Sequence, residues 1–399
     1  MNCTDSESCK AIVKCDDYVK HGNNYLVIPM GIIVIFAASF GNGLVIISVW
    51  KYPRLRRQIT NHFVFSLAFA DFLVAILVMP FNLIQTVNNG RWLFGPVLCN
   101  IFNSNDVFFS TASLIHIGCI GLDRYIAIIK PFKYEIILTN SRVAIILTVS
   151  WITSLLISHI PIHSGIYTTE ENLVLLKFCR LVCHFKVNMI YAIVSSTISF
   201  WIPSSIMCVV YLKIFKEAKN QEKKIILATP YPKENRNSLT LDMNIQSQNF
   251  IKKSQSVSSN MSKRNFKREH KAAKTLGIIM GCFIACWLPF FIWYTVSNVC
   301  QSSCSFPEII GDIVFWIGYV NSTLNPIIYA FYNREFRKAF KQVLKYNKWC
   351  CKNCTDRQCN SLNTHSGNFT NFTGTEIYFD RNMGNRRTTL SYLKYGCSH

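Results

Sequence analysis

Residues 99–130 read CNIFNSNDVFFSTASLIHIGCIGLDRYIAIIK. The stretch is apolar enough to sit in a bilayer, yet it carries Asp106 in its first third and Asp123-Arg124-Tyr125 near its end. On a helix rising about 1.5 Å per residue the two aspartates lie about 25 Å apart along the axis, most of the depth of a hydrocarbon core. One carboxylate is then buried below one membrane face and the other waits at the opposite face. An ionisable group inside a span costs roughly 3 kcal/mol on insertion scales and is retained where it faces a cavity or a partner. Asp106 is therefore a candidate functional residue, against the plainer reading of a carboxylate tied to a neighbouring helix. Arg124 follows an aspartate directly, which argues for a held, switchable charge rather than only an anchor snorkelling to lipid phosphates.

The rest of the chain has the same character. Half of its 399 residues are hydrophobic and 14% are aromatic, too apolar for an ordinary soluble domain of this length. The net charge of +21 raises nucleic acid as a partner, but the Lys and Arg residues fall between and after the apolar runs, and no basic patch interleaved with aromatics stands out. Seven runs are long enough to span a bilayer: Tyr25 to Trp50, His62 to Val87, Leu98 to Ile129, Val143 to Ile162, Val187 to Phe215, Thr275 to Val299 and Ile309 to Phe331. The expected fold is an all-α membrane protein, a seven-transmembrane helix bundle. Basic residues crowd the first connection (Lys51, Arg54, Arg56, Arg57), the third (Lys130, Lys133) and the lysine-rich fifth, about 216–270. The alternate connections are poor in them. By the positive-inside rule the amino terminus is extracellular and the carboxyl terminus cytoplasmic. No apolar core precedes Tyr25, so no cleavable signal peptide is expected and the first span serves as the targeting signal.

Three domains follow: an extracellular segment 1–24, a membrane domain 25–346 and a cytoplasmic tail 347–399. The amino-terminal segment carries the sequon Asn2-Cys3-Thr4, a glycosylation acceptor if exposed outside, together with Cys9 and Cys15, whose pairing is left open. The fifth connection is polar and serine-rich and reads as largely disordered. After the seventh run, NREFRKAFKQVLKY sets Phe336, Phe340 and Val343 or Leu344 at helical spacing against basic residues, the pattern of a short amphipathic helix on the membrane surface. Cys350 and Cys351 follow it, together with Cys354. Palmitoylation is the favoured reading, the rival being a metal site with Cys359.

Taken together, GNGLV at 41–45, LAFAD ending in Asp71, Asp123-Arg124-Tyr125, Trp151, Pro203, CWLP at 286–289 and NPIIY at 325–329 resemble the rhodopsin-like (class A) G-protein-coupled receptors over about Tyr25 to Tyr346. Any one of these motifs is weak, but all of them occur in order, one in nearly every span. Within that family Asp106 resembles the counter-ion of the biogenic amine group, and the runs YAIVSSTISFWIPSSIM, HKAAKTLGIIMG and FWIGYVNSTLNPIIYAF are similar to invertebrate beta-type octopamine receptors.

The resemblance implies a receptor for a biogenic amine, octopamine foremost, coupled to a stimulatory heterotrimeric G protein and adenylate cyclase at the plasma membrane, with receptor kinases and arrestin as further partners. It implies a ligand set of Asp106, Val107, Ser195, Ser196, Ser199, Trp287, Phe290, Phe291, Tyr294, Phe315 and Tyr319. Physical chemistry supports this independently, because a buried ammonium needs a paired charge and aromatic faces suit a cation. Ser195 and Ser199 share a helical face at about a molecule's length from Asp106. An inner polar pocket of Asp71, Ser113, Asn321 and Asn325, with Ser322, resembles the family's sodium site; the alternative is a static network around a protonated Asp71. A switch set is implied at Asp123, Arg124, Tyr125, Tyr211, Glu269, Asn325, Pro326 and Tyr329, with Glu269 as the partner of Arg124. A disulfide Cys99–Cys183 is implied, with Cys179 as the competitor for Cys99, and Cys300–Cys304 is a second candidate. Phe315 departs from the beta-adrenergic pattern, which has asparagine there. Dopamine, tyramine or adrenergic-like receptors are the runners-up. An amine transporter would call for repeats and broken helices in matching halves, and no nucleophile–base pair or metal cluster suggests an enzyme.

Overall fold

The computed structural model describes residue 15 and residues 27–228, 277–300 and 307–345. Among these there are helices and connecting turns but no strands. Seven long helices occupy the expected runs: α1 Val27–Lys51, α2 Thr60–Val87, α3 Gly95–Ile129, α4 Asn140–Ser164, α5 beginning at Met189, α6 Gly277–Cys300 and α7 Glu308–Tyr332. A short α8 over 334–345 follows. Six of the described helices, α1 to α6, are long and apolar enough to cross a membrane. The polar Asn321, Ser322, Thr323 and Asn325 dilute α7, and all four are buried, so its polarity faces protein.

α3 is the central column, packed on α2, α4 and α5. Its fit against α4 comes from small residues: Ser150, Ser154 and Ser158 repeat every fourth position, are all buried, and return their hydroxyls to the carbonyls of Ile146, Ser150 and Ser154. This local bonding satisfies each hydroxyl while two helices approach closely. The ends of α4 are set by Thr139, whose Oγ1 accepts from the Arg142 N–H at 3.4 Å, and by Gly165 in the left-handed region at φ 81°.

Where α2, α3 and α4 meet, His116 is fully buried. Its Nδ1 meets the Ala112 carbonyl, which only accepts, so in the neutral ring Nδ1 carries the proton. Nε2 then accepts from Ser66 Oγ at 2.9 Å, and Ser66 in turn accepts from Trp151 Nε1–H at 2.9 Å. Every polar atom of this three-helix junction is satisfied.

α5 departs from the uniform helix that the sequence suggests. An eight-residue α-helical stretch Met189–Ser196 passes into a π-helical segment Thr197–Trp201 before the helix resumes over Ile202–Ala228. Pro203 has no N–H to offer the carbonyl four residues back, at Ser199, and a wide turn absorbs that loss. The connection between α4 and α5 contains a helix Glu170–Phe178, capped by Thr169 Oγ1 accepting from Asn172 N–H, with Glu170 and Glu171 in its first turn.

Cys99 and Cys183 are joined as expected. Cys179, the alternative partner for Cys99, is instead bonded to Cys15. Cys304 lies outside the described residues, as do Asn2, Glu269, Cys350 and Cys351.

Candidate functional site

A cavity of about 710 Å³ opens among α2, α3, α5, α6 and α7 beneath the α4–α5 connection. Asp106, Val107, Ser195, Ser199, Trp287, Phe290, Phe291, Tyr294 and Phe315 all line it. The sequence thus brings nine of its eleven candidate ligand residues to one space. The other two play different parts. Tyr319 stands behind the wall, fully buried, and donates its Oη–H to Asp106 Oδ1 at 3.0 Å. Ser196 is buried away from the cavity and gives its hydroxyl to the Ile193 carbonyl at 3.2 Å.

At one end of the cavity the Asp106 carboxylate takes bonds from Tyr319 and, longer at 3.5 Å, from Ser110. Two hydroxyl donors leave lone pairs of a carboxylate available, since each oxygen accepts twice. The aromatic wall is continuous: Phe315 meets Tyr319 edge-on at 4.7 Å and Phe290 at 5.5 Å, Phe290 stacks on Tyr294, and Trp287 closes the floor against Phe290 and Phe291. Trp287 sits close to α7 because residue 318 is glycine; a Cβ there would come within 2.9 Å of the indole. At the other end Ser195 Oγ pairs with Tyr294 Oη at 3.2 Å, and Ser199 Oγ pairs with Thr111 Oγ1 at 3.0 Å. These pairs bridge α5 to α6 and α5 to α3. Thr111, one turn after Val107 on α3, escaped the sequence reading because an isolated threonine in an apolar run carries no signal of its own.

Deeper in the bundle, Asp71 is fully buried and accepts three side-chain hydrogen bonds. Ser113 Oγ and Ser322 Oγ donate to Oδ1 at 2.7 and 3.0 Å, and Asn325 Nδ2 donates to Oδ2 at 2.8 Å. Three helices converge on this one side chain. Asn321 is buried one turn before Asn325.

At the far end of α3, Arg124 folds back on Asp123, with Nε–H···Oδ2 at 2.8 Å, and its Nη2 also meets Thr60 Oγ1. Asp123 is buried and accepts further bonds from Thr60 Oγ1 at 2.8 Å and Tyr134 Oη at 2.7 Å. Burial pushes the Tyr134 phenol above its ordinary value. Tyr134 was not among the sequence candidates; it sits on a short helix, Tyr134–Ile137, whose approach to α3 only the fold reveals. Tyr211 packs on Gly277 of α6, where a Cβ would lie 2.6 Å from its hydroxyl. Lys213 Nζ lies 5.9 Å from the Tyr125 ring centroid. Tyr329 stacks on Phe336 of α8 at 5.3 Å.

The chain matches the family of seven-transmembrane receptors of the rhodopsin type over residues 41–329. It is 49% identical over 313 residues to the octopamine receptor beta-1R of Drosophila melanogaster, covering 78% of this chain and 60% of that receptor. Against the octopamine receptor beta-2R of Chilo suppressalis it is 46% identical over 334 residues, covering 82% of this chain and 81% of the relative. The D(1B) dopamine receptor of Xenopus laevis is 38% identical over 331 residues, 80% and 69% of the two chains. The chain therefore spans about three fifths of the length of the Drosophila receptor it matches. With the family match covering all seven long helices in whole or part, and each family motif found at its place in the bundle, the chain belongs to the rhodopsin family of seven-transmembrane receptors, multi-pass membrane proteins rather than enzymes.

Proposed function

We propose that this chain is a biogenic amine receptor, with octopamine as its principal ligand, which acts through a stimulatory G protein to raise cyclic AMP. The observation that carries this reading is the cavity itself: one carboxylate with free lone pairs at one end, an aromatic wall between, and two hydroxyl pairs at the other. A primary ammonium pairs with Asp106, which removes the penalty of a buried unpaired charge. The aryl ring lies along Phe290 and Phe291. A ring hydroxyl inserts between Ser195 and Tyr294 or between Ser199 and Thr111, exchanging one set of hydrogen bonds for another, so that contact adds only about 1 kcal/mol.

The amine is named from the relatives, since two of those described above are octopamine receptors. Dopamine is the second reading, favoured by the presence of two separate hydroxyl pairs for two ring hydroxyls and by the dopamine-receptor relative. A cyclic AMP dose series over octopamine, tyramine and dopamine in cells expressing the receptor tests the assignment. Octopamine is expected to be the most potent; a response led by dopamine overturns the amine, and the absence of a response to all three overturns the reading.

In this proposal the amino terminus is extracellular, as the loop charges suggest. Asp71, Ser113 and Ser322 offer a cluster of hard oxygen donors that suits a small alkali cation, and sodium would be held there in the resting state. Ligand contact at Trp287 favours a state in which α6 swings outward about Pro289. A ligand shifts that equilibrium only by its differential affinity for the two states. The opening would free Arg124 to meet the G protein, and receptor kinases and arrestin would then recognise the same inner face.

A further inference from the structure

The α4–α5 connection is fastened twice within five residues, by Cys179 to Cys15 and by Cys183 to Cys99. Between the two bonds the Leu181 carbonyl accepts from the Trp92 N–H at 2.8 Å. Immediately after them the chain forms part of the cavity wall, through Cys183, His184, Phe185 and Lys186. Cys179 lies four residues before Cys183, the first residue of that wall, so slack introduced at Cys179 arises next to residues that border the ligand space.

The two disulfides sit in different surroundings. Cys99 and Cys183 are 1% and 5% exposed, lie in a core cluster with Trp92 and Phe102, and have Asn103 Nδ2 at 3.4 and 3.7 Å from their sulfurs. Cys179 is buried in a small separate cluster with Leu175 and Val182, but Cys15 is partly exposed. Thiol–disulfide exchange requires a thiolate to reach a sulfur. Solvent offers that approach at Cys15.

We propose that Cys15–Cys179 is a selectively reducible tether that sets how fast ligand enters and leaves the cavity, while Cys99–Cys183 is a permanent staple. One thiolate of an external dithiol attacks Cys15 Sγ, and Cys179 departs as a thiolate that takes a proton from water. The second thiol of the reductant, as its thiolate, attacks the mixed disulfide and releases Cys15, so the dithiol is oxidised to its own disulfide as the protein disulfide is reduced to two thiols. Freed from the amino-terminal segment, the short stretch before Cys183 relaxes, and the wall that begins at Cys183 opens more often. The proposal concerns the cavity assigned above to an amine and rests on that reading for its functional half.

Two measurements test it. In the first, receptor in membranes is treated with graded dithiothreitol, alkylated and peptide-mapped. Labelling of Cys15 and Cys179 is expected at reductant concentrations that leave Cys99 and Cys183 unlabelled; simultaneous or reversed labelling overturns the selectivity. In the second, dissociation of tritiated octopamine is followed for the wild type, Cys15→Ser and Cys179→Ser at matched surface expression. Both variants are expected to release ligand several-fold faster than the wild type and to ignore mild reductant, and the reduced wild type should reach their rate. If the variants are not displayed at the surface, the reduced wild type alone decides. Unchanged dissociation after selective reduction overturns the tether. A wild type with no saturable octopamine binding overturns the amine reading instead, and the labelling map is unaffected by that outcome.

Discussion

Asp71 and Asp106 are both carboxylates within membrane-spanning helices, Asp71 fully buried and Asp106 partly exposed to a cavity, and they are treated in opposite ways. Asp71 takes three donors from two other helices, Ser113 on α3 and Ser322 and Asn325 on α7, and is locked into the bundle. Asp106 takes one good bond from Tyr319 and a longer one from Ser110, and it faces a cavity. The first arrangement spends a charged group on joining helices. The second holds a charged group in place without satisfying it, which is what a site for a cationic ligand needs. The contrast is one of hydrogen-bond capacity as well as burial, since a carboxylate with two occupied acceptor positions still has two to offer.

The comparison breaks most sharply under alanine. Asp106→Ala should weaken agonist binding about a hundredfold or more, roughly 2.7 kcal/mol, with little change in thermal stability. Asp71→Ala should do the reverse: three orphaned donors at about 1 kcal/mol each destabilise the fold by about 3 kcal/mol, read as a lower melting temperature in detergent. Comparable losses of binding and of stability in both variants would erase the distinction.

Tyr319→Phe removes the bond that aims Asp106 and should weaken amine binding by about tenfold, since hydrogen bonds to charged groups are worth roughly 1.5 kcal/mol or more. A neutral ligand of the same cavity should be indifferent to it. At the opposite end, Ser195→Ala and Ser199→Ala should each weaken a phenolic amine by roughly five- to tenfold and leave a phenylethylamine without ring hydroxyls almost unchanged. Ser196→Ala serves as the internal control, because its hydroxyl bonds its own helix; an equal loss there would point to packing. The smallest effect is expected at the inner face. An ion pair between Arg124 and Glu269, if the resting state holds one, would be worth about 1 kcal/mol, so Glu269→Ala should raise basal cyclic AMP several-fold at matched surface expression. Basal signalling and agonist affinity both at wild-type level would remove Glu269 from the switch.

The bundle was legible in the sequence because apolar runs of membrane length, proline positions and alternating loop charge act over single segments. Asp106 was legible for the same reason: an aspartate inside such a run is conspicuous by its cost. What stayed hidden depends on how segments meet. Cys15, Cys179 and Cys183 are equivalent as letters, and only the path of the chain selects their partners. Helical spacing set Ser196 beside Ser195 and Ser199, but rotation about the helix axis decides that it bonds Ile193 while the others face the cavity. Tyr134 bonding Asp123, and Ser66 linking Trp151 to His116, are tertiary matters of the same kind. Tyr319 was found by its family position as a wall residue, whereas its geometry makes it a positioning residue for Asp106.

The central claim is that Asp106 is held unsatisfied in order to receive a positive charge. It is tested most directly by competition binding of octopamine and of its neutral analogue, in which the amine is replaced by a hydroxyl, against wild type and Asp106→Asn. The wild type should prefer the amine by about a hundredfold, and the variant, which keeps the side chain's shape but loses its charge, should show no preference. A preference that survives in Asp106→Asn would contradict the account.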